Sequence, residues 1–97
     1  MKAQLSNELQ PPPIASDPAT SEVLRVWAGP GHSQQLTLNT NWSDPAAWGL
    51  LLVDIARHAA KAYAHQGLSE ADAFNRIRQG LVAEWSSPSD EPLELSR

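Results

Sequence analysis

The chain of 97 residues contains no cysteine, no long apolar run and few basic residues. The absence of cysteine excludes a disulfide framework and a thiolate metal site. No apolar run approaches the ~20 residues that cross a bilayer, so we expect no transmembrane helix. The first ten residues lack the apolar stretch of a secretory signal peptide. Together these features predict a cytoplasmic protein that does not contact a membrane.

Positively charged residues are few. The chain has seven lysines and arginines and eleven acidic residues, which gives a formal net charge of −4. Within residues 21–88 the five basic and six acidic residues nearly cancel. Binding to a phosphate backbone needs a clustered basic surface, which this balance does not supply. We therefore expect no nucleic-acid partner.

The two ends of the chain differ in composition from its middle. Residues 1–20 contain a triple proline and lack apolar periodicity, and residues 88–97 are polar and acidic. Such compositions are typical of solvated tails. We predict a disordered proline-rich leader over residues 1–20, a single domain over 21–87 and a disordered acidic tail over 88–97. A domain of that size has a marginal core, for which oligomerisation is a common remedy.

Two short alternating segments predict a β-hairpin. EVLRVWA (22–28) and QQLTLNT (34–40) flank the turn sequence GPGH (29–32). Pairing the strands by their apolar faces directs four side chains toward a core: Leu24, Val26, Leu36 and Leu38. The opposite face carries Arg25 and Trp27, and an aromatic residue beside an arginine is typical of an interface anchor. The alternative is that Trp27 belongs to the core of its own chain, with the hairpin covered on both sides.

In the rest of the domain, capping residues and apolar periodicity predict two helices. The first runs over residues 45–66, with Asp44 as N-cap, Pro45 at the first helical position and Gly67 just beyond its end. The second runs over residues 70–85, behind a capping box that begins at Ser69. The short connection makes the helices an antiparallel pair. The order β-β-α-α defines an α+β fold, in which we expect the helices to pack on one face of the hairpin.

At 100° per residue, the first helix has two apolar arcs. The broad arc, which we expect to be the main core face, consists of Trp48, Leu51, Leu52, Ile55, Ala56, Ala59, Ala62 and Tyr63. The narrow arc consists of Leu50, Val53, Ala60 and Ala64. A helix that is apolar on two sides is usually sandwiched between two layers. The sheet, the second helix or a partner subunit could therefore cover the narrow arc.

The second helix has one apolar stripe, formed by Phe74, Ile77, Leu81 and Trp85. Arg78 falls inside this stripe. Its stem could lie along Trp85 with the guanidinium in water, or the guanidinium could meet a carboxylate across the helix pair or a subunit interface. Gly80 lies in mid-helix, where glycine costs about 1 kcal/mol relative to alanine, and could mark close contact with another backbone.

One stretch of the first helix resembles a chemical site. Asp54, His58 and His65 share a polar stripe, and Asp54 and His58 lie one turn apart. The two histidines are separated by two turns, roughly 10 Å along the axis, with Lys61 between them. This spacing disfavours a shared metal ion. We favour a solvated helix face with one weak Asp–His pair.

No other pattern indicates catalysis. The serines lie in tails, turns and cap positions, and the glycines of AGPGHS lack the lysine of a phosphate-binding loop. We therefore predict no enzymatic activity and no catalytic, metal-binding or cofactor-binding residues. The residues that we retain as candidates for a ligand site or an interface are Arg25, Trp27, Asp54, Arg57, His58 and Arg78.

The segments EVLRVW and DPAAWGLLLVDIARHAAKAYA, behind a proline-rich leader, resemble a family of small bacterial proteins classed as a domain of unknown function. The resemblance covers residues 22–86 and implies one small domain rather than a fragment of a larger one. It implies no known activity, cofactor or catalytic residue.

Two functions are consistent with these patterns. The first is a non-enzymatic protein-interaction or regulatory module that acts as a homodimer, through the hairpin around Arg25 and Trp27 or through the narrow arc. The alternative is a small-ligand-binding domain or minor enzyme with a site near Asp54, Arg57 and His58. The two are discriminated by whether His58 lines a concave pocket together with a second charged group.

Overall fold

A computed structural model describes residues 7–31 and 33–88, together with the backbone of Leu93–Glu94. The elements, in chain order, are a short 3-10 helix (Pro13–Ser16), strands β1 (Leu24–Trp27) and β2 (Gln35–Leu38), helices α1 (Ala46–His65) and α2 (Glu70–Ser86), and strand β3 (Leu93–Glu94). The predicted β-β-α-α order of a small α+β domain is confirmed. Within the described part, neither helix is long and apolar enough to cross a bilayer.

β1 and β2 form the predicted antiparallel hairpin. Leu24 lies opposite Leu38 and Val26 lies opposite Leu36, so the four apolar side chains share one face of the sheet. Gly31 in the connecting turn has a φ of 71°, a conformation that glycine adopts without strain. β3 adds a short parallel strand at the other edge of β2, which the sequence patterns did not predict.

Two described elements lie in the segments that we predicted to be disordered. The 3-10 helix lies in the leader, where the Thr20 hydroxyl donates a hydrogen bond to the Ile14 carbonyl oxygen at 2.9 Å. β3 lies in the acidic tail. Residues 1–6, 89–92 and 95–97 fall outside the described part, so the disorder of the two tails and the domain boundaries stay predictions.

α1 begins at Ala46 with Pro45 as its N-cap, one residue later than the predicted N-cap Asp44, and the residues before it hold its start. The Asp44 carboxylate accepts a hydrogen bond from the Ala46 N–H at 3.0 Å, which satisfies a backbone donor that has no partner inside the helix. Trp42 packs edge-on against Trp48, with 5.5 Å between the ring centroids. These two contacts fix the direction in which the chain enters α1.

A Schellman motif around Gly67 closes the connection between α1 and α2. The Gly67 N–H bonds to the Ala64 carbonyl oxygen at 3.1 Å, and the Leu68 N–H bonds to the Tyr63 carbonyl oxygen at 3.2 Å. Gly67 has a φ of 104°, which L-residues with a side chain rarely adopt. Ser69 then serves as the N-cap of α2, as its place in the capping box predicts.

The packing between the strands and the helices differs from the prediction. α1 packs against α2 and the strands pack against one another, but in the described part no strand lies closely against a helix. The expectation that the helices cover one face of the hairpin is therefore wrong for the single chain. Val26 on that face is 50% exposed, whereas Leu24, Leu36 and Leu38 are half-buried. The radius of gyration is 15.3 Å, above the ~12.5 Å of a compact chain of this length.

The most buried position of α1 belongs to the narrow arc and faces α2, although Leu50 and Val53 of the same arc are exposed. Ala60 of α1 is 1% exposed and Ala73 of α2 is 4% exposed, and these small side chains let the helix axes approach closely. The broad arc, which we expected to be the main core face, is only partly buried. Its residues Leu52, Ile55 and Tyr63 are 42%, 42% and 46% exposed.

Gly80 lies in α2 with open space around it, because a Cβ added there meets no atom of the chain within 4 Å. Alanine has the higher helix propensity and restricts the unfolded chain. We therefore expect Gly80→Ala to raise the free energy of unfolding by about 0.5–1 kcal/mol. Urea denaturation followed by circular dichroism measures this change. A loss of stability would indicate that Gly80 contacts a second molecule.

Candidate functional site

The polar stripe of α1 does not converge into a site. His58 Nδ1 lies 2.7 Å from the backbone carbonyl oxygen of Asp54, so the ring bonds to its own helix rather than to the carboxylate. Because a carbonyl oxygen only accepts, Nδ1 is the donor of this hydrogen bond. Both side chains are exposed. In the part of the chain that the structure describes, no three His, Cys, Asp or Glu residues are placed to hold a metal ion.

Arg57, in contrast, lines a cleft between the two helices. Its guanidinium carbon lies 5.1 Å from the centroid of the Phe74 ring, which is a cation–π contact across the helix pair. Lys61 Nζ forms an ion pair with Glu70 at 3.2 Å nearby. The cleft has a volume of about 370 Å³ and is lined by Arg57, Ala60, Glu70, Ala71 and Phe74. It therefore combines a positive charge, an aromatic ring and a carboxylate.

Of the three candidates in the stretch Asp54–His58, only Arg57 lines the cleft. Arg57 reaches toward α2, whereas His58, one residue later, lies about 100° further around the helix and does not line the cleft. This placement weakens the alternative in which His58 serves as an acid or base. Arg57 remains the candidate for binding a ligand.

Arg25 on β1 is held by carboxylates of its own chain. Its guanidinium forms an ion pair with Glu8 of the leader and a second one with Glu22 at 3.1 Å. The hydrogen bond to Glu22 is the largest cause that raises the pKa of Arg25, against an opposing effect of burial. The contact with Glu8 attaches the leader to β1. Sequence patterns missed it, because one glutamate in a polar leader carries no local signal.

The remaining candidates, Trp27 and Arg78, differ in exposure. Trp27 is half-buried, so its assignment to an interface or to the core of its own chain stays open. Arg78 is exposed and donates a hydrogen bond to the Asn75 side-chain oxygen at 3.2 Å. Its exposure agrees with a guanidinium that reaches water, while the packing of its stem along Trp85 stays a prediction.

Exposed apolar side chains are the main feature of the helical surface. In the described part, no large side chain is fully buried. Leu50 and Trp85 are 73% and 77% exposed, although Trp85 belongs to the stripe that we expected in the core. Helical period identifies an apolar side without identifying what covers it, which is why the stripe misled us about Trp85.

The fold and these surfaces define a small α+β protein whose helical hairpin exposes its apolar faces. The chain belongs to the family DUF5076, a domain of unknown function, whose model matches residues 8–89. The resemblance to such a family is confirmed. The chain is also similar to the solved structure of a protein from the photosynthetic bacterium Rhodopseudomonas palustris that is provisionally named a pyruvate dehydrogenase. The two are 36% identical, with a TM-score of 0.71 and 93% of each chain covered. No curated protein matches the chain.

Proposed function

We propose that this protein is a non-enzymatic protein-interaction module that acts as a homodimer. The observation that supports this proposal is the lack of a core of large side chains. In the described part of the chain, Ala60 and Ala73 are buried but no large side chain is. A domain of this size needs a core of large apolar side chains, and oligomerisation is one way to build it. A second copy would supply the contacts that one chain lacks.

The kind of side chain that is exposed also supports an interaction role. Trp85 and Leu50 are the most exposed large apolar residues of the described helices. Tryptophan is enriched among the residues that dominate binding energy, and contiguous apolar patches on a soluble protein commonly mark interaction sites. In this proposal the dimer presents such residues to a protein partner.

Sedimentation equilibrium at tens of micromolar protein tests the homodimer. We expect a mass twice that of the 10.6 kDa chain. We also expect a Tm that rises with protein concentration, because mass action favours the folded dimer. A monomeric mass, together with a Tm that does not change over a roughly hundredfold range of concentration, would contradict the proposal.

The alternative function is the binding of a small anionic ligand in the cleft between α1 and α2. One observation favours it, namely that the Arg57 guanidinium lies over the Phe74 ring beside open volume. A guanidinium next to an aromatic ring can hold a carboxylate that also carries an apolar part.

A thermal-shift screen with benzoate, citrate and pyruvate tests this alternative. Pyruvate is included because the Rhodopseudomonas protein is named for it. The alternative predicts a rise in Tm that is lost in Arg57→Gln and kept in Arg76→Gln, where the arginine bonds to Gln79 at 2.8 Å outside the cleft. An unchanged Tm with all three acids, or a rise that Arg57→Gln keeps, would argue against ligand binding at the cleft.

A further inference from the structure

We infer that the broad arc of α1 is the dimer interface, and that it packs antiparallel against the same arc of a second copy. This inference rests on the homodimer proposed above and assigns its surface. Leu52, Ile55 and Tyr63 are each more than 40% exposed along this arc. They therefore present a row of large apolar side chains over most of the length of the helix.

The position of the broad arc on α1 leaves it accessible to another molecule. The side that faces α2 is marked by buried Ala60 and by Arg57, which reaches Phe74. Ile55 lies about 140° around the helix from Ala60. No strand of the described part lies closely against α1. Part of the arc is already half-buried within the chain, at Trp48, Leu51, Ala56 and Ala59, while Leu52, Ile55 and Tyr63 are left for another molecule to cover.

The absence of charge on the broad arc is compatible with a second copy as the occupant. The broad arc contains no charged residue, whereas the whole chain carries a net charge of −4. Two copies repel one another over most of their surfaces, and the repulsion is least where uncharged faces meet. Any partner must present an uncharged apolar stripe, because a charged group would be desolvated there without a counter-charge. The chain itself presents such a stripe.

The order of side-chain sizes along the broad arc fits a two-fold contact. Large side chains occupy the start of the arc, three alanines follow, and Tyr63 ends it. An antiparallel pair with its axis between Ala56 and Ala59 brings Ile55 near Ala59 of the partner subunit and Leu52 near Tyr63 of the partner subunit. Large residues then face small ones in the centre, as interdigitating helix surfaces require.

The length of the broad arc is sufficient for a specific contact. From Trp48 to Tyr63 it spans about 22 Å of helix. Two helices that pack over this length bury several hundred Å² per copy, about the area of the smaller specific complexes. The exposed fractions of Leu52, Ile55 and Tyr63 show that this area is still available in the single chain.

Cysteine cross-linking tests the interface, because the chain has no cysteine of its own. In Ala59→Cys the new thiols of two copies meet near the two-fold axis, where the helix backbones approach most closely. Ala83→Cys is the control, since Ala83 is an exposed alanine on α2 outside the broad arc. We expect Ala59→Cys to form a covalent dimer at least about tenfold faster than the control under mild oxidation.

A charged substitution gives a second measurement. Ile55→Asp places an uncompensated carboxylate from each copy in the interface. We expect the dissociation constant of the dimer to rise at least about 100-fold in sedimentation. Leu50→Asp is the control, because Leu50 is 73% exposed on the same helix but outside the broad arc. We expect it to change the constant by less than about threefold. If Ile55→Asp does not fold, cross-linking of Ala59→Cys decides the question.

The outcomes separate the inference from the proposed function. Equal cross-linking by Ala59→Cys and Ala83→Cys would place the interface elsewhere and overturn the inference, while the homodimer would stand. Dissociation by Leu50→Asp but not by Ile55→Asp would do the same. A monomeric wild-type chain would instead overturn the homodimer, and the inference with it.

Discussion

Replacing Ala73 with leucine is expected to lower the free energy of unfolding by about 2–3 kcal/mol. Ala73 is 4% exposed, on the side of α2 that packs against α1. The three additional carbon atoms must force the two helices apart or adopt a strained rotamer. Unlike Ala60, Ala73 does not line the cleft, so no open volume accepts these atoms. Urea denaturation of the variant and the wild type, at equal protein concentrations, measures the loss.

The matched control for this substitution is Ala83→Leu. Ala83 lies on the same helix with its side chain exposed, so the larger residue displaces only water. We expect its free energy of unfolding to stay within about 0.5 kcal/mol of the wild-type value. If both leucine variants lose the same amount, the two helices do not pack through Ala73.

Gly67→Ala is expected to lower the free energy of unfolding by about 1–2 kcal/mol. A Cβ added at Gly67 meets no atom within 4 Å, so the loss does not come from a clash with a neighbour. It comes from the backbone, because φ is 104° and a residue with a Cβ is strained there. Thermal and urea denaturation both report the change.

Gly80→Ala is the internal control for that result. It introduces the same methyl group into a regular helical position with equally open surroundings, and its expected effect has the opposite sign. Gly67→Asn should lose less than Gly67→Ala, since asparagine tolerates positive φ better than alanine does. A Gly67→Ala variant as stable as the wild type would contradict the Schellman geometry of the connection.

The helix boundaries could be predicted to within one or two residues because their signals are local. Asp44 bonds to a backbone N–H two residues away, and Ser69 to one three residues away. Gly67 terminates α1 through bonds that span at most five residues. Such interactions form within one segment whatever surrounds it, so sequence patterns report them directly. The hairpin followed in the same way from alternation around a glycine-rich turn.

Local signals of this kind could not predict which arc of α1 packs against α2. Periodicity showed that both sides of the helix are apolar, and the larger side chains suggested that the broad arc would form the core. The structure instead places Ala60 of the narrow arc against α2. Close approach of two backbones favours small side chains over large ones, and the pattern within a single helix does not show where that approach occurs.

The contacts of the candidate site residues also could not be predicted from local patterns. Arg57 was among the candidates, but its contact with Phe74 joins residues on different helices. Arg25 was also among them, but its ion pair with Glu8 joins a strand to the leader. A contact between distant segments depends on how the elements are placed in space, and one sequence shows this only where a pattern links the two segments.

The sequence by itself determined the order β-β-α-α, the ends of the helices and the family to which the chain is similar. These depend on caps, turns and periodicity, which act over a few neighbouring residues. Only the tertiary structure decided that Ala60 of the narrow arc meets α2, that Arg57 lies over Phe74 and that the large side chains Leu52, Ile55 and Tyr63 of the broad arc stay exposed. The physical reason is that packing is a relation between surfaces, and several pairings of apolar surfaces satisfy the same local pattern.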